Sequence, residues 1–106
     1  MNYTFKENQL DYETYYILRK SVKWNNWSRE QAEIALGNSY YTVTVFDNKV
    51  PIGMGRAVGD GIYFMIMDIV VKPEYQRMGI GSTIIHMLLE HIEKNMCVGS
   101  RVSVQL

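Results

Sequence analysis

Apolar positions change their spacing several times along the chain, and each change marks an element. Tyr3 and Phe5 alternate with polar neighbours between Asn2 and Lys6, the period of a half-buried strand. From Asp11 onward, Tyr15, Leu18 and Val22 recur at offsets of three and seven. That spacing predicts a helix capped by Asp11, with these three side chains inward and Arg19 and Lys23 toward water. Ser28 followed by Gln31 has the form of a capping box, in which Gln31 returns a bond to the cap amide, and Gly37-Asn38 ends this second, short helix. Tyr40 to Phe46 and Pro51 to Val58 read as strands joined across Asp47-Asn48-Lys49, and Gly59-Asp60-Gly61 forms another tight turn.

Ile66 to Val71 is rich in β-branched residues, apolar except at Asp68, and stops before Pro73, which cannot donate to a ladder. It reads as a mostly buried central strand. The long segment after it carries Ile84, Ile85, Leu88, Leu89 and Ile92 on one side and Glu90, Glu93 and Lys94 on the other, an amphipathic helix suited to pack on a sheet. A last strand is predicted over Arg101 to Gln105. Three consecutive strands with short connections are antiparallel neighbours. The order therefore predicts an α+β fold, a mixed and mostly antiparallel twisted sheet flanked by helices, in one domain spanning residues 1–106.

Composition narrows the partners. With 106 residues and 47% hydrophobic content, the chain can bury a single core. Eleven basic and eleven acidic residues cancel, so no overall field draws it to nucleic acid or to an anionic membrane, and any anion site is local. The polar N-terminus lacks the form of a signal peptide, no apolar run approaches spanning length, and the single Cys97 has no partner for an internal disulfide. The expectation is an intracellular, cytoplasmic protein without repeats or linkers.

The candidate chemistry lies between the central strand and the long helix. Gly79 and Gly81 remove side chains where the backbone approaches something closely or takes positive φ, which lets successive amides point outward at a helix start. Bare amides there attract phosphate, and Arg77 adds a charge. A dinucleotide fingerprint needs a third glycine where this chain has Ile84, and a Walker loop needs a Gly-Lys-Ser/Thr that the sequence lacks.

What fits is Gln76-Arg77-Met78-Gly79-Ile80-Gly81, which resembles the Q/R-x-x-G-x-G/A pattern of the GNAT superfamily of N-acetyltransferases. Val71 to Tyr75 precede it as V-x-P-E-Y, as in many members, and the resemblance extends from Asp11 to about Leu106. It implies acetyl-CoA as cofactor. The backbone amides of Arg77, Met78, Gly79, Ile80, Gly81 and Ser82 would fix the pyrophosphate, helped by the Ser82 hydroxyl and next to Gln76. The pantetheine arm would pair with the backbone of Ile69, Val70 and Val71, where a free amide also stabilises an oxyanion. The implied reaction is direct attack on acetyl-CoA by a primary amine of a small molecule or protein within a ternary complex.

An alkyl ammonium, with a pKa of about 10.4, must lose a proton before attacking. Asp68 is the one ionisable residue in the stretch from Ile66 to Val71 and alternation sets it opposite Ile69. It is the candidate general base, beside the plainer reading of a carboxylate at the strand's wetter margin or bonded to a neighbouring backbone amide. Trp24 and Trp27 lie near the junction of the first two helices, a region that often borders the acceptor pocket in this family; aromatic packing on the core is the alternative. His86 and His91, five apart, are poorly spaced to share a metal, so no metal site is expected. Cys97 reads as a buried or inert thiol, and the seven methionines as fillers of core gaps.

Family members continue past the fifth strand with another helix and two strands, and a tyrosine near that helix often acts as general acid. Nothing in this sequence matches that tyrosine. The resemblance thus implies a form lacking the C-terminal helix and last two strands; either the chain is a fragment, or its exposed sheet edge is covered by a partner, and the expectation is a homo-oligomer. Two functions follow: an acetyl-CoA-dependent N-acetyltransferase, or a non-catalytic module that binds acyl-CoA and oligomerises.

Overall fold

In a computed structural model of the protein, which describes residues 3–105, β1 (Tyr3–Glu7) forms one edge of a five-stranded sheet ordered β1-β2-β3-β4-β5. The expected first residue of this strand, Asn2, lies outside the described residues. β2 (Tyr41–Asp47), β3 (Val50–Gly59) and β4 (Tyr63–Val71) follow as antiparallel neighbours, as the short turns require. β4 begins earlier than its apolar run, because the Asp60 carboxylate takes the amides of Ile62 and Tyr63, each at 2.9 Å, and starts the strand straight out of the turn. β5 (Arg101–Val104) runs parallel to β4 because the helix between them, α3 (Ile80–Asn95), returns the chain to the same end of the sheet. The architecture is mixed α+β, as expected.

α1 (Tyr12–Ser21) and α2 (Arg29–Gly37) cover one face of the sheet and α3 covers the other. On the α3 face, Ile80, Ile84, Leu88 and Ile92, one per helical turn, are fully or almost fully buried against Val43, Val45, Ile52 and Ile66. On the opposite face, Tyr15 and Leu18 of α1 and Ala32 of α2 close over Met54 and Val70. Gly55 shows how closely α3 approaches: a Cβ there would sit 2.5 Å from Ile84 Cγ2 and 2.7 Å from Ile69 Cδ1. Glycine is the residue that permits this contact.

The caps form where expected, with one difference in detail. Asp11 accepts from the Thr14 amide at 2.9 Å. Ser28 accepts from the Gln31 amide, but Gln31 Oε1 takes the Ser28 hydroxyl rather than the cap amide. Arg19 departs from its expected exposure to water: its side chain is 11% exposed, and it turns inward to an ion pair with Asp68. Lys23, past the end of α1, is exposed as expected.

Candidate functional site

β4 is where the site is built, because its pairing with β3 slips. Met54 pairs with Val70 and Arg56 with Met67, which leaves Asp68 and Ile69 together opposite Gly55. This is a β-bulge, and Asp68 adopts φ 55° to make it, a left-handed conformation that Asp tolerates better than most residues. Simple alternation consequently fails over Met67 and Asp68, which both line a cavity of about 550 Å³ beneath α1 and α2. Beyond the bulge, Ile69 and Val71 line a second cavity of about 340 Å³, at the N-terminus of α3. Adjacent residues of one strand thus wall two different spaces.

The α3-side cavity gathers most of the residues expected to hold the cofactor. Gln76, Arg77, Gly79, Ile80, Gly81 and Ser82 line it with Ile69 and Val71. Two residues, Arg77 at φ 67° and Gly79 at φ 82°, carry the left-handed geometry that turns the loop into the helix. Gly79 is the N-cap and no side chain caps the helix. The first intrahelical bond runs from the Thr83 amide to the Gly79 carbonyl at 3.0 Å, so the amides of Ile80, Gly81 and Ser82 precede it and are available to an anion. Gln76 ties the loop to β4 by donating Nε2 to the Val71 carbonyl at 3.0 Å.

Two residues of the expected set send their side chains elsewhere. Val70 packs among Tyr15 and Leu18 on the other face, leaving only its backbone to the α3 side. Met78 is half-exposed and its sulfur accepts from the Tyr3 hydroxyl at 3.4 Å. The cavity adds Tyr75, which sequence reasoning named only within the lead-in. Its hydroxyl donates to Asp47 at 2.7 Å; that bond, and some burial, raise its pKa above the ordinary 10.0.

On the α1/α2 side, three side chains from two elements, α1 and β3, converge on Asp68. Tyr15 donates its hydroxyl to Oδ2 at 2.9 Å, Arg56 donates Nε to Oδ2 at 2.7 Å, and Arg19 donates Nη1 to Oδ1 at 2.8 Å. All three are long-range contacts that no local pattern signals. Burial and then the neighbouring carboxylate hold the Tyr15 hydroxyl above its ordinary pKa. Arg19 also donates to the Asn25 carbonyl, at 2.6 Å from Nη2, which anchors the α1–α2 loop. Arg56 reaches α2 and its end through the Ser39 hydroxyl at 3.1 Å and the Ala35 carbonyl at 3.5 Å.

Trp24 and Trp27 stand on that loop, 40% and 57% exposed, and line the larger cavity instead of packing in the core. The Arg19 guanidinium lies 5.1 Å from one ring centre and 6.0 Å from the other. Among the described residues no group of His, Cys, Asp and Glu is placed to hold a metal ion. His91 instead stacks on Tyr41 at 3.8 Å. Cys97 is exposed rather than buried, and of the methionines Met54 fills the core while Met65 and Met78 are exposed.

Known proteins resemble this chain in structure and in sequence. A probable acetyltransferase from meticillin-resistant Staphylococcus aureus, a protein of unknown function, superposes with a TM-score of 0.91 at 33% identity, over 99% of this chain and 80% of that one. The PaiA N-acetyltransferase of Thermoplasma acidophilum, solved in complex with coenzyme A, shares the fold at a TM-score of 0.71 and 18% identity, over 89% and 74% of the two chains. In sequence, the chain is 30% identical over 79 residues to an uncharacterized N-acetyltransferase, ycf52, of Pyropia yezoensis, a match over 70% of this chain. It spans less than half of that relative, 45% of its length. The profile of the "Acetyltransferase (GNAT) family" matches residues 3–105, and the chain belongs to that family.

Proposed function

We propose that the protein binds acetyl-CoA in the α3-side cavity and transfers its acetyl group to a primary amine delivered from the α1/α2 side. The observation that carries this reading is the bulged strand itself. It turns Ile69 and Val71 toward an uncapped helix N-terminus while turning Asp68 into a separate cavity large enough for an acceptor. The pyrophosphate sits against the amides of Ile80, Gly81 and Ser82 beside Arg77, and the pantetheine arm follows the backbone from Ile69 to Val71. A relative of the same fold, solved with coenzyme A, supports the choice of cofactor.

In the transfer, the neutral amine nitrogen attacks the thioester carbonyl carbon. A C–N bond forms, the C–S bond breaks, and coenzyme A leaves as a thiolate that takes up the proton the amine gives up. Backbone amides at the bulge stabilise the oxyanion. Asp68, the candidate base, has donors on each carboxylate oxygen, two of them guanidiniums. We therefore assign it to holding the bulge and the α1–α2 loop in place, with water in the cavity carrying the amine proton.

Two measurements test the proposal. Acetyl-CoA is expected to raise the melting temperature, and a panel of primary amines to release free coenzyme A thiol from the mixture. Stabilisation without thiol release selects a non-catalytic acyl-CoA-binding module, and no stabilisation removes the cofactor assignment altogether.

A further inference from the structure

Resting on that reading, the acceptor cavity carries information about which amine it takes. Two guanidiniums, Arg19 and Arg56, and one carboxylate, Asp68, line it, which leaves one unit of positive charge. All three side chains are 8 to 11% exposed, so salt screens them little. Among the described residues, no other acidic residue lines the cavity. Glu13 and Glu33, on α1 and α2, pair with Arg29 on the outer surface at 3.4 Å. The one carboxylate is already neutralised twice over, so among the described residues nothing in the cavity offers an ammonium group a counter-charge.

Arg56, by contrast, has a donor to spare. Its Nε is taken by Asp68 and its Nη1 by Ser39 and Ala35, while Nη2 makes no hydrogen bond among the described residues. The adjoining cavity at the α1–α2 loop repeats the sign, since Arg19 and Lys23 line it with the tryptophans and, among the described residues, no acidic one does. We infer that the acceptor is an amine carrying its own anionic group, such as the carboxylate of an amino acid. The anion pairs with the free Arg56 guanidinium edge, and a polycationic amine is rejected. A charge-assisted bond to guanidinium has the strength to discriminate a carboxylate from its neutral amide.

Trp24 and Trp27 are the chain's two tryptophans and both line the cavity, so intrinsic fluorescence reads its occupancy without turnover. With coenzyme A bound, leucine is expected to change the fluorescence at about tenfold lower concentration than leucinamide, a difference of about 1.4 kcal/mol, and spermidine to leave it unchanged. Equal or tighter binding of leucinamide or spermidine, or no response to any of the three, overturns the assignment. Thiol release from acetyl-CoA separates the two readings. Equal or faster acetylation of leucinamide or spermidine than of leucine sinks the anionic class and leaves acetyl transfer standing. A fluorescence preference for leucine with no thiol release sustains the class and sinks transfer.

Discussion

The two cavities that share β4 are made of different material. On the α3 side the binding surface is largely backbone: a loop with left-handed residues at Arg77 and Gly79, and helix amides that no side chain caps. On the α1/α2 side it is side chains brought together from α1 and β3 around Asp68. A backbone site constrains a few consecutive residues and tolerates most side chains within it. A side-chain site depends on the partner its members share, and removing Asp68 leaves two buried guanidiniums without their counter-charge.

That contrast predicts where substitution is most costly. Asp68→Ala leaves Arg19 and Arg56 facing each other without their counter-charge, and removal of one member of a buried pair costs about 3–5 kcal/mol. Urea unfolding is expected to show a loss of that size, with no comparable loss for truncation of the loop side chains Gln76, Arg77, Met78 or Ser82. Asp68→Asn, studied below its unfolding temperature, separates holding from proton transfer. If Asp68 only holds the bulge, the acid limb of the pH–rate profile survives in the Asn variant. Disappearance of that limb makes the carboxylate the base after all.

Gly55→Ala comes next, because Gly55 lies between the two sides. Its new Cβ would meet Ile84 and Ile69 at under 3 Å, and overpacking of this kind costs about 1–3 kcal/mol. Since Ile69 also lines the cavity proposed for acetyl-CoA, KM for acetyl-CoA is expected to rise together with the loss of stability. A variant with normal stability and KM would show that the core yields more easily than its packing suggests.

Gly79→Val works in the opposite way. Nothing of the protein lies within 4 Å of a Cβ at Gly79, but φ 82° is costly for a branched residue, by about 1–2 kcal/mol. Melting temperature is expected to fall modestly while acetyl-CoA binding, followed by thermal shift, weakens about tenfold or more. Binding kept within twofold would mean that the turn's geometry is not what holds the anion.

The two sides also differ in how far they could be read from the sequence. Gly79, Gly81 and Arg77 announce the turn because the constraint is local: positive φ and bare amides demand small residues at fixed spacing. The strand, the helix and most of the wall of the α3-side cavity followed from that. Asp68 stood out as a lone charge in an apolar strand, but its partners lie 12 to 53 residues away. Arg19 sat on the face of α1 that periodicity assigned to water, but it turns inward to Asp68 and the Asn25 carbonyl. The bulge itself leaves no periodic signature, since a single added residue only shifts the alternation. Tyr15 looked like ordinary core, which it also is.

Two tyrosine–carboxylate bonds, one on each side, give the finest test. Tyr15 is buried and donates to Asp68; Tyr75 lies nearer the surface and donates to Asp47. Tyr15→Phe is expected to cost about 1 kcal/mol near neutral pH, since two arginines still hold Asp68. Each hydroxyl has its pKa raised in the folded state, Tyr15 chiefly by burial and Tyr75 chiefly by its bond to Asp47. A raised folded-state value means that the stabilising contribution is complete below the ordinary pKa of 10.0 and is lost as pH climbs from there through the folded value. The gap in stability between the native protein and Tyr15→Phe should therefore be constant to about pH 9 and shrink above pH 10. Tyr75→Phe should show a weaker change over the same window, because water reaches its ring and solvates the phenolate in the fold as well. Parallel curves for the two variants would put Tyr15 and Tyr75 in equivalent surroundings, and the division between a side-chain site and a backbone site would lose its energetic basis.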